Sequence, residues 1–291
     1  MNLSGVLFFP VTPFDEAGEL AEDVLAEHVR HGVAHGPGGV FVACGTGEFS
    51  ALSQDEHARA VRVAVKAAEG RVPVLAGAGG PLGAALEQAR AARAAGADGL
   101  LLMPPYLTQG TAAGFVAYAR AIAAELPVII YQRGSLVLDP ATVVELARVP
   151  GVIGLKDGLG DVDRMQRTVL AVRREIGPDF TFFNGLPTAE LTMPAYRALG
   201  VELYSSAVFA FAPEIALAYF NGDERLLTEF YAPLVELRSK APGYAVSLVK
   251  AGLRLRGTNV GPVRAPLADP APEHLAELDT LIKTGLALVS A

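Results

Sequence analysis

Short runs of Val, Ile, Leu and Phe alternate along this chain with longer Ala-rich stretches in which charged residues recur at helical spacing. An apolar run of about four to eight residues bounded by turn residues reads as a strand buried on both faces, and a longer amphipathic stretch as a helix laid over it. Strands are predicted over 6–9, 39–43, 72–76, 99–103, 128–131, 152–156, 180–183 and 201–205. Helices are predicted over 21–34, 54–69, 82–95, 112–125 and 162–176. The units repeat every roughly 25 to 30 residues, so about eight fit before residue 210, the number a (β/α)8 barrel needs. The expected fold class is therefore α/β, a (β/α)8 TIM barrel over residues 1–211 carrying the active site, with a doubly wound sheet as the competing topology. Residues 212–291 read as a C-terminal helical extension, broken near Gly222, Pro242 and the stretch 258–272.

Composition narrows the class without changing it. A chain of 291 residues can hold one barrel or two smaller domains, and no Pro/Gly/Ser-rich linker or charge block divides it. With 51% hydrophobic and 19% charged residues it has the makings of a large buried core. Its apolar runs are strand-length, and its start lacks a basic segment followed by an apolar one, so neither a membrane span nor a secretory leader is expected and the cytoplasm is the expected location. A single cysteine, Cys44, excludes an intrachain disulfide, and the lack of a Cys/His cluster argues against a zinc site. A net charge of −7 without tryptophan or a basic stripe argues against nucleic acid as a partner.

In a barrel the chemistry sits at the C-terminal ends of the strands and in the loops that follow. The polar residues there are Thr12, the segment Cys44-Gly45-Thr46-Gly47-Glu48, Tyr106 after Pro104-Pro105, Tyr131-Gln132-Arg133, Lys156, Asn184 and Ser205-Ser206. Lys156 closes the apolar run 152–156, and a lysine fixed at a buried strand end can be deprotonated enough to attack a carbonyl. The plainer alternative is a strand-end lysine paired with Asp157. Tyr131 closes the strand before it, where a phenol can exchange a proton with an intermediate on Lys156, or simply pack with its hydroxyl on the backbone. Gly45, Thr46 and Gly47 can present backbone N–H groups and a hydroxyl to a carboxylate, or form a βα turn in which Thr46 caps the helix. Arg133 offers a planar fork for a second carboxylate, against the commoner fate of a surface salt bridge. Tyr106 reads equally as a loop or interface tyrosine. The run Gly77-Ala78-Gly79-Gly80 lacks dinucleotide-binding spacing and is given a structural part, and the five histidines fall in predicted helices or at their ends.

Together, Phe9-Pro10-Val11-Thr12-Pro13-Phe14, Gly45-Thr46-Gly47-Glu48, Met103-Pro104-Pro105-Tyr106, Ile130-Tyr131 and Gly154-Leu155-Lys156-Asp157 resemble, in order and spacing, the class I aldolase and dehydratase superfamily of dihydrodipicolinate synthase and N-acetylneuraminate lyase. The resemblance covers nearly the whole chain. On Cys44-Gly45-Thr46-Gly47-Glu48, Tyr131-Gln132-Arg133 and Phe183-Asn184-Gly185 it looks most like the decarboxylating sugar-diacid dehydratases of that superfamily. It implies that Lys156 forms a Schiff base, Tyr131 is the acid/base phenol, and Thr46 with neighbouring N–H groups holds the carboxylate of a 2-oxo acid. Arg133, Asn184 and Ser206 are further expected substrate contacts, with Tyr106 and Thr12 as possible additions. No metal or cofactor is implied, and a homo-oligomer, commonly a tetramer, is. Two departures count against dihydrodipicolinate synthesis: Gly45 stands where those enzymes carry a threonine that relays protons between two tyrosines, and their arginine lies further past the strand-five tyrosine, where this chain has Leu136. The expected reaction is loss of water and carbon dioxide from 5-dehydro-4-deoxyglucarate to give 2,5-dioxopentanoate. A Schiff-base aldolase, dihydrodipicolinate synthase itself and a catalytically silent sugar-acid binding protein remain the alternatives.

Overall fold

Eight strands, in the order β1-β2-β3-β4-β5-β6-β7-β8, close into a barrel in a computed structural model that describes residues 1–105 and 110–290. They are β1 (Val6–Phe8), β2 (Val40–Val42), β3 (Val74–Ala78), β4 (Gly99–Leu102), β5 (Val128–Gln132), β6 (Val152–Asp157), β7 (Thr181–Asn184) and β8 (Leu203–Ser206). The pairing of β1 with β2 and those from β3 through β8 in succession are parallel, as expected where a helix separates each strand from the next. Strand residues are buried almost without exception, which is why the strands read as continuous apolar runs rather than alternating ones.

Every strand starts or stops one or two residues from its predicted limits, and in β2, β3 and β8 the reason is local. Pro73 has no N–H to donate, so β3 begins at Val74 and runs on through Gly77 and Ala78, which pair with Leu101 and Leu102. The glycine run read as a turn thus begins inside a strand. At β2, Ala43 takes a left-handed φ of 50° and ends the strand early. At β8, the N–H of Val201 is taken by the carbonyl of Tyr196 at 2.9 Å, finishing the preceding helix and delaying the strand.

Residues 74–205 form one compact unit and residues 2–73 with 206–291 another. The first carries β3 to β7 and most of β8. The second carries β1, β2 and the helices Pro213–Phe220, Ala232–Ser239, Tyr244–Leu255 and Pro272–Ser290. The breaks in this tail coincide with Gly222 and Gly243, both at positive φ, and with the segment 258–271. The helix Gln54–Ala68 begins with a capping box, Ser53 accepting from Glu56 N and Glu56 from Ser53 N, so Ser53 and not Thr46 is its cap. Among the described residues no helix is long and apolar enough to cross a membrane.

Candidate active site

The ends of β5, β6 and β7 form the best-defined cluster in the first unit. Register pairs Tyr131 with Lys156 and Lys156 with Phe183, so three neighbouring strands present these side chains to the same face. The Lys156 ammonium position lies 4.5 Å from the centre of the Tyr131 ring and 5.4 Å from that of Phe183, and the residue is 5% exposed. Ring faces favour a cation, whereas removal from water opposes one, so the lysine sits where two opposed effects meet. Gly185 clears its path: a Cβ there would overlap Cγ and Cε of Lys156 and lie 2.8 Å from Cδ. Gly158 does the same for the phenol, since its Cβ would fall 2.8 Å from Tyr131 Cε2.

Alternation along the strands divides this end of the sheet into two layers. Tyr131 and Lys156 face one way, and the next residues, Gln132 and Asp157, face the other. The Asp157 carboxylate is taken up on that second face. Its Oδ1 accepts from Gln132 Nε2 at 2.7 Å and Leu159 N at 3.2 Å, and its Oδ2 from Gly160 N at 3.3 Å and from the Tyr196 hydroxyl. Burial, reinforced by the neighbouring Asp157 charge, pushes the Tyr196 phenol well above the ordinary tyrosine range and keeps it a donor. Sequence reasoning offered Asp157 only as the plainer alternative for Lys156, an ion-pair partner, and did not anticipate Tyr196, which only the fold brings to that carboxylate.

Tyr131 is fixed at its oxygen. Its hydroxyl donates to Gly185 O at 2.8 Å and accepts from Arg133 Nη1 at 3.1 Å. Asn184, fully buried, donates to Thr192 Oγ1 at 2.7 Å and Ala189 O at 3.2 Å and accepts from Leu186 N at 3.1 Å, tying the β7 loop to the next helix. Tyr106 lies outside the described residues.

The second unit holds the Gly45–Gly47 segment. Gly45 is exposed, Thr46 half-exposed and Gly47 buried. Thr12 donates its hydroxyl to Gly47 O at 2.6 Å, and a Cβ on Gly47 would come within 3.2 Å of Ala43 Cα and Pro10 O. Ala43 and Glu48 flank the turn in left-handed conformations. Glu48 then folds inward: Oε1 lies 2.6 Å from Lys250 Nζ with both side chains wholly buried, and Oε2 accepts from Arg264 N at 2.8 Å. Lys250 also donates to Pro262 O at 2.8 Å, and its burial lowers the ammonium from its ordinary range against the raising effect of Glu48. Ser206, fully buried, accepts from Phe209 N at 3.1 Å. His28 is pushed down to about 3 by burial and accepts from Val11 N at 3.3 Å, a structural part. Among the described residues no group of three or more His, Cys, Asp or Glu is arranged to hold a metal ion.

Residues 2–285 match the family described as dihydrodipicolinate synthetase. The chain belongs to that family. The match spans almost its whole length, so the family assignment rests on far more than the five motifs. A relative from Streptomyces coelicolor called "Probable 5-dehydro-4-deoxyglucarate dehydratase 1" is 57% identical over 297 residues, covering 98% of this chain and 94% of the relative. The crystal structure of dihydrodipicolinate synthase from Bacillus clausii superposes with a TM-score of 0.87 at 27% identity, covering 97% of both chains. That of YagE from E. coli K12, a prophage protein of the dihydrodipicolinic acid synthase family in complex with pyruvate, superposes at 0.86 and 27% identity, covering 97% of this chain and 98% of that one.

Proposed function

We propose that this family member removes water and carbon dioxide from 5-dehydro-4-deoxyglucarate, giving 2,5-dioxopentanoate through a Schiff base on Lys156. The observation that carries the reading is the register pairing of Lys156 with Tyr131, which sets an amine and a phenol side by side among aromatic rings in a chain 57% identical to a relative bearing that dehydratase name. Read as a 2-oxo acid, the substrate has a ketone at C2, a methylene at C3, hydroxyls at C4 and C5 and a second carboxylate at C6. Lys156 adds to C2 and expels water, and the protonated imine draws the C3–H electrons toward nitrogen as solvent takes the proton. The resulting enamine pushes out the C4 oxygen, which takes the proton of Tyr131 and leaves as water. Conjugation now extends from nitrogen to C4. Because the conjugated protonated imine now reaches C4, the C5–C6 bond breaks with its electrons delocalised through C4 and C3 to nitrogen, and C6 departs as carbon dioxide. Tautomerisation and hydrolysis release the product and the free amine.

The first carboxylate is assigned to the N–H groups of Gly45 to Gly47 and the Thr46 hydroxyl, with Thr12 steadying the turn through Gly47 O. Arg133, on the rim, is assigned to the C6 carboxylate. Asn184 and Ser206 support the site by holding their loops through the bonds described above. In solution a homo-oligomer, a tetramer, is proposed. The test of the reaction is product NMR with substrate labelled at C6. Label in carbon dioxide and 2,5-dioxopentanoate as product support the reading; pyruvate with the label in tartronate semialdehyde would make the protein an aldolase, and no turnover alongside failure to trap an imine with borohydride would make it a binding protein.

A further inference from the structure

We infer that Arg133 is a positioning residue for Tyr131: it holds the phenol oxygen and supports the phenolate that remains once the proton has gone to the departing C4 hydroxyl. This inference rests on the dehydration proposed above and deepens it.

The geometry starts from the strand. Residues two apart on a strand face the same side, so Arg133, just past the end of β5, follows Tyr131 and not Gln132. Its Nη1 donates to the phenol oxygen at 3.1 Å while its guanidinium carbon lies 6.0 Å from the ring centre, so the fork meets the hydroxyl end of the ring and not its face. A phenol oxygen has one proton to give. With Nη1 occupying an acceptor position, that proton is directed to the other side, where it rests on Gly185 O at 2.8 Å. Gly185 O belongs to the residue whose missing side chain gives Lys156 its channel, so the phenol proton waits beside the amine. When the C4–O bond breaks, its electron pair leaves with the oxygen, and that oxygen takes the Tyr131 proton and departs as water. The negative charge left on the phenol oxygen faces a permanent cation already in hydrogen-bond contact. A charge-assisted bond is stronger than the neutral one it replaces, so the arginine stabilises the state after proton transfer more than the state before it.

A guanidinium cannot pass a proton on, since it stays charged at any working pH, so what it gives the phenol is a fixed electrostatic support. The phenol is then reprotonated from solvent after product release. Arg133 is exposed at the rim, and its remaining N–H groups stay available to the C6 carboxylate.

The experiment compares two leaving groups. The natural substrate loses a C4 hydroxyl, which needs a proton; an analogue with fluorine at C4 loses fluoride, which does not. Wild type, R133Q, R133K and Tyr131→Phe are assayed on both, with borohydride trapping of pyruvate on Lys156 as the check that each variant keeps a competent pocket. R133Q should lose about ten-fold or more in kcat on the hydroxyl substrate beyond whatever it loses on the fluoro analogue, on the scale of general acid catalysis, because loss of the C6 carboxylate contact is common to both substrates. R133K should recover part of the loss, and Tyr131→Phe should show the same dependence on leaving group with a larger defect. Equal losses on the two substrates, no loss on either, or failure of R133Q to trap pyruvate would overturn the inference. Wild type that traps pyruvate but releases neither water nor carbon dioxide from the hydroxyl substrate would instead overturn the proposed reaction, and the inference with it.

Discussion

Two buried lysines stand in different surroundings in this chain. Lys250 is wholly enclosed with its ammonium 2.6 Å from Glu48, on the carbonyl of Pro262 and 4.2 Å from the centre of the Phe14 ring. Lys156, 5% exposed, lies between the rings of Tyr131 and Phe183, with a glycine opposite its methylene chain. Burial acts against the charge of both. At Lys250 a carboxylate answers it, so the amine is committed to an ion pair that holds the segment 258–266 and the turn after β2 together. At Lys156 the nearest acidic side chain in sequence, Asp157, is turned to the other face and saturated by four donors. Depth of burial alone therefore does not separate the amine proposed to attack substrate from the amine that ties two segments together.

The largest effects should separate the two lysines completely. Lys156→Ala is expected to abolish turnover and remove the borohydride-trapped adduct with pyruvate, while circular dichroism and unfolding remain close to wild type, because a strand-end alanine leaves the layers beneath it packed. Mass-spectrometric mapping of an adduct to Lys250 or Lys66 in the wild type would reverse the comparison.

Lys250→Met should do the opposite. Removing one member of a buried pair leaves the Glu48 carboxylate without its cation, a loss of about 3–5 kcal/mol in stability. Urea unfolding measures it, and the protein that remains folded should still trap pyruvate on Lys156. A variant as stable as wild type would show that the pair contributes nothing net.

Tyr131→Phe probes the site of Lys156 more gently. The ring and its packing stay, the proton donor goes, and kcat should fall by about 10²-fold or more while imine formation persists. Turnover within a few-fold of wild type would leave the phenol a purely structural bond to Gly185 O.

The same comparison shows what a sequence discloses. Lys156 and Tyr131 were legible because position at a strand end is a local property: an apolar run, a polar residue, then a turn signal. The alternation that sends Tyr131 and Lys156 one way and Gln132 and Asp157 the other was equally present in the letters, and applying it would have removed Asp157 as a partner for Lys156. The Glu48–Lys250 pair was not legible, because nothing local to residue 48 or 250 indicates which distant segment folds against it. The same holds for Tyr196 on Asp157 and for Arg133 on the Tyr131 hydroxyl. The offset of β3 turned on Pro73, whose missing donor is visible in sequence, and on glycines that pack as well inside a barrel strand as in a turn.

The smallest expected effect is a pH dependence on the Lys250 side of the comparison. There Arg264 grips Glu56 with both ends of its fork, Nη1 to Oε2 at 2.9 Å and Nη2 to Oε1 at 2.5 Å, and lies over the Phe14 ring at 3.8 Å. The guanidinium hydrogen bonds hold the Glu56 carboxyl down at about 2, from an ordinary value of 4.5, with the Ser53 capping bond adding to the effect. A carboxyl whose affinity for protons is lower in the folded state contributes stability that is fully present above the unfolded value and is lost as pH falls toward the folded one. Between pH 4.5 and about 2 the wild type should therefore lose stability faster than Glu56→Gln, which has no proton to take up, and above pH 5 the two curves should run parallel. Urea unfolding at a series of pH values gives the slopes. The pair is partly exposed, so added salt should shrink the difference, and the cluster at Lys156, where the ties described are hydrogen bonds to the Asp157 carboxylate, should be unaffected by the substitution. Identical slopes for the two proteins would mean that Arg264 holds Glu56 no better in the folded chain than water does in the unfolded one.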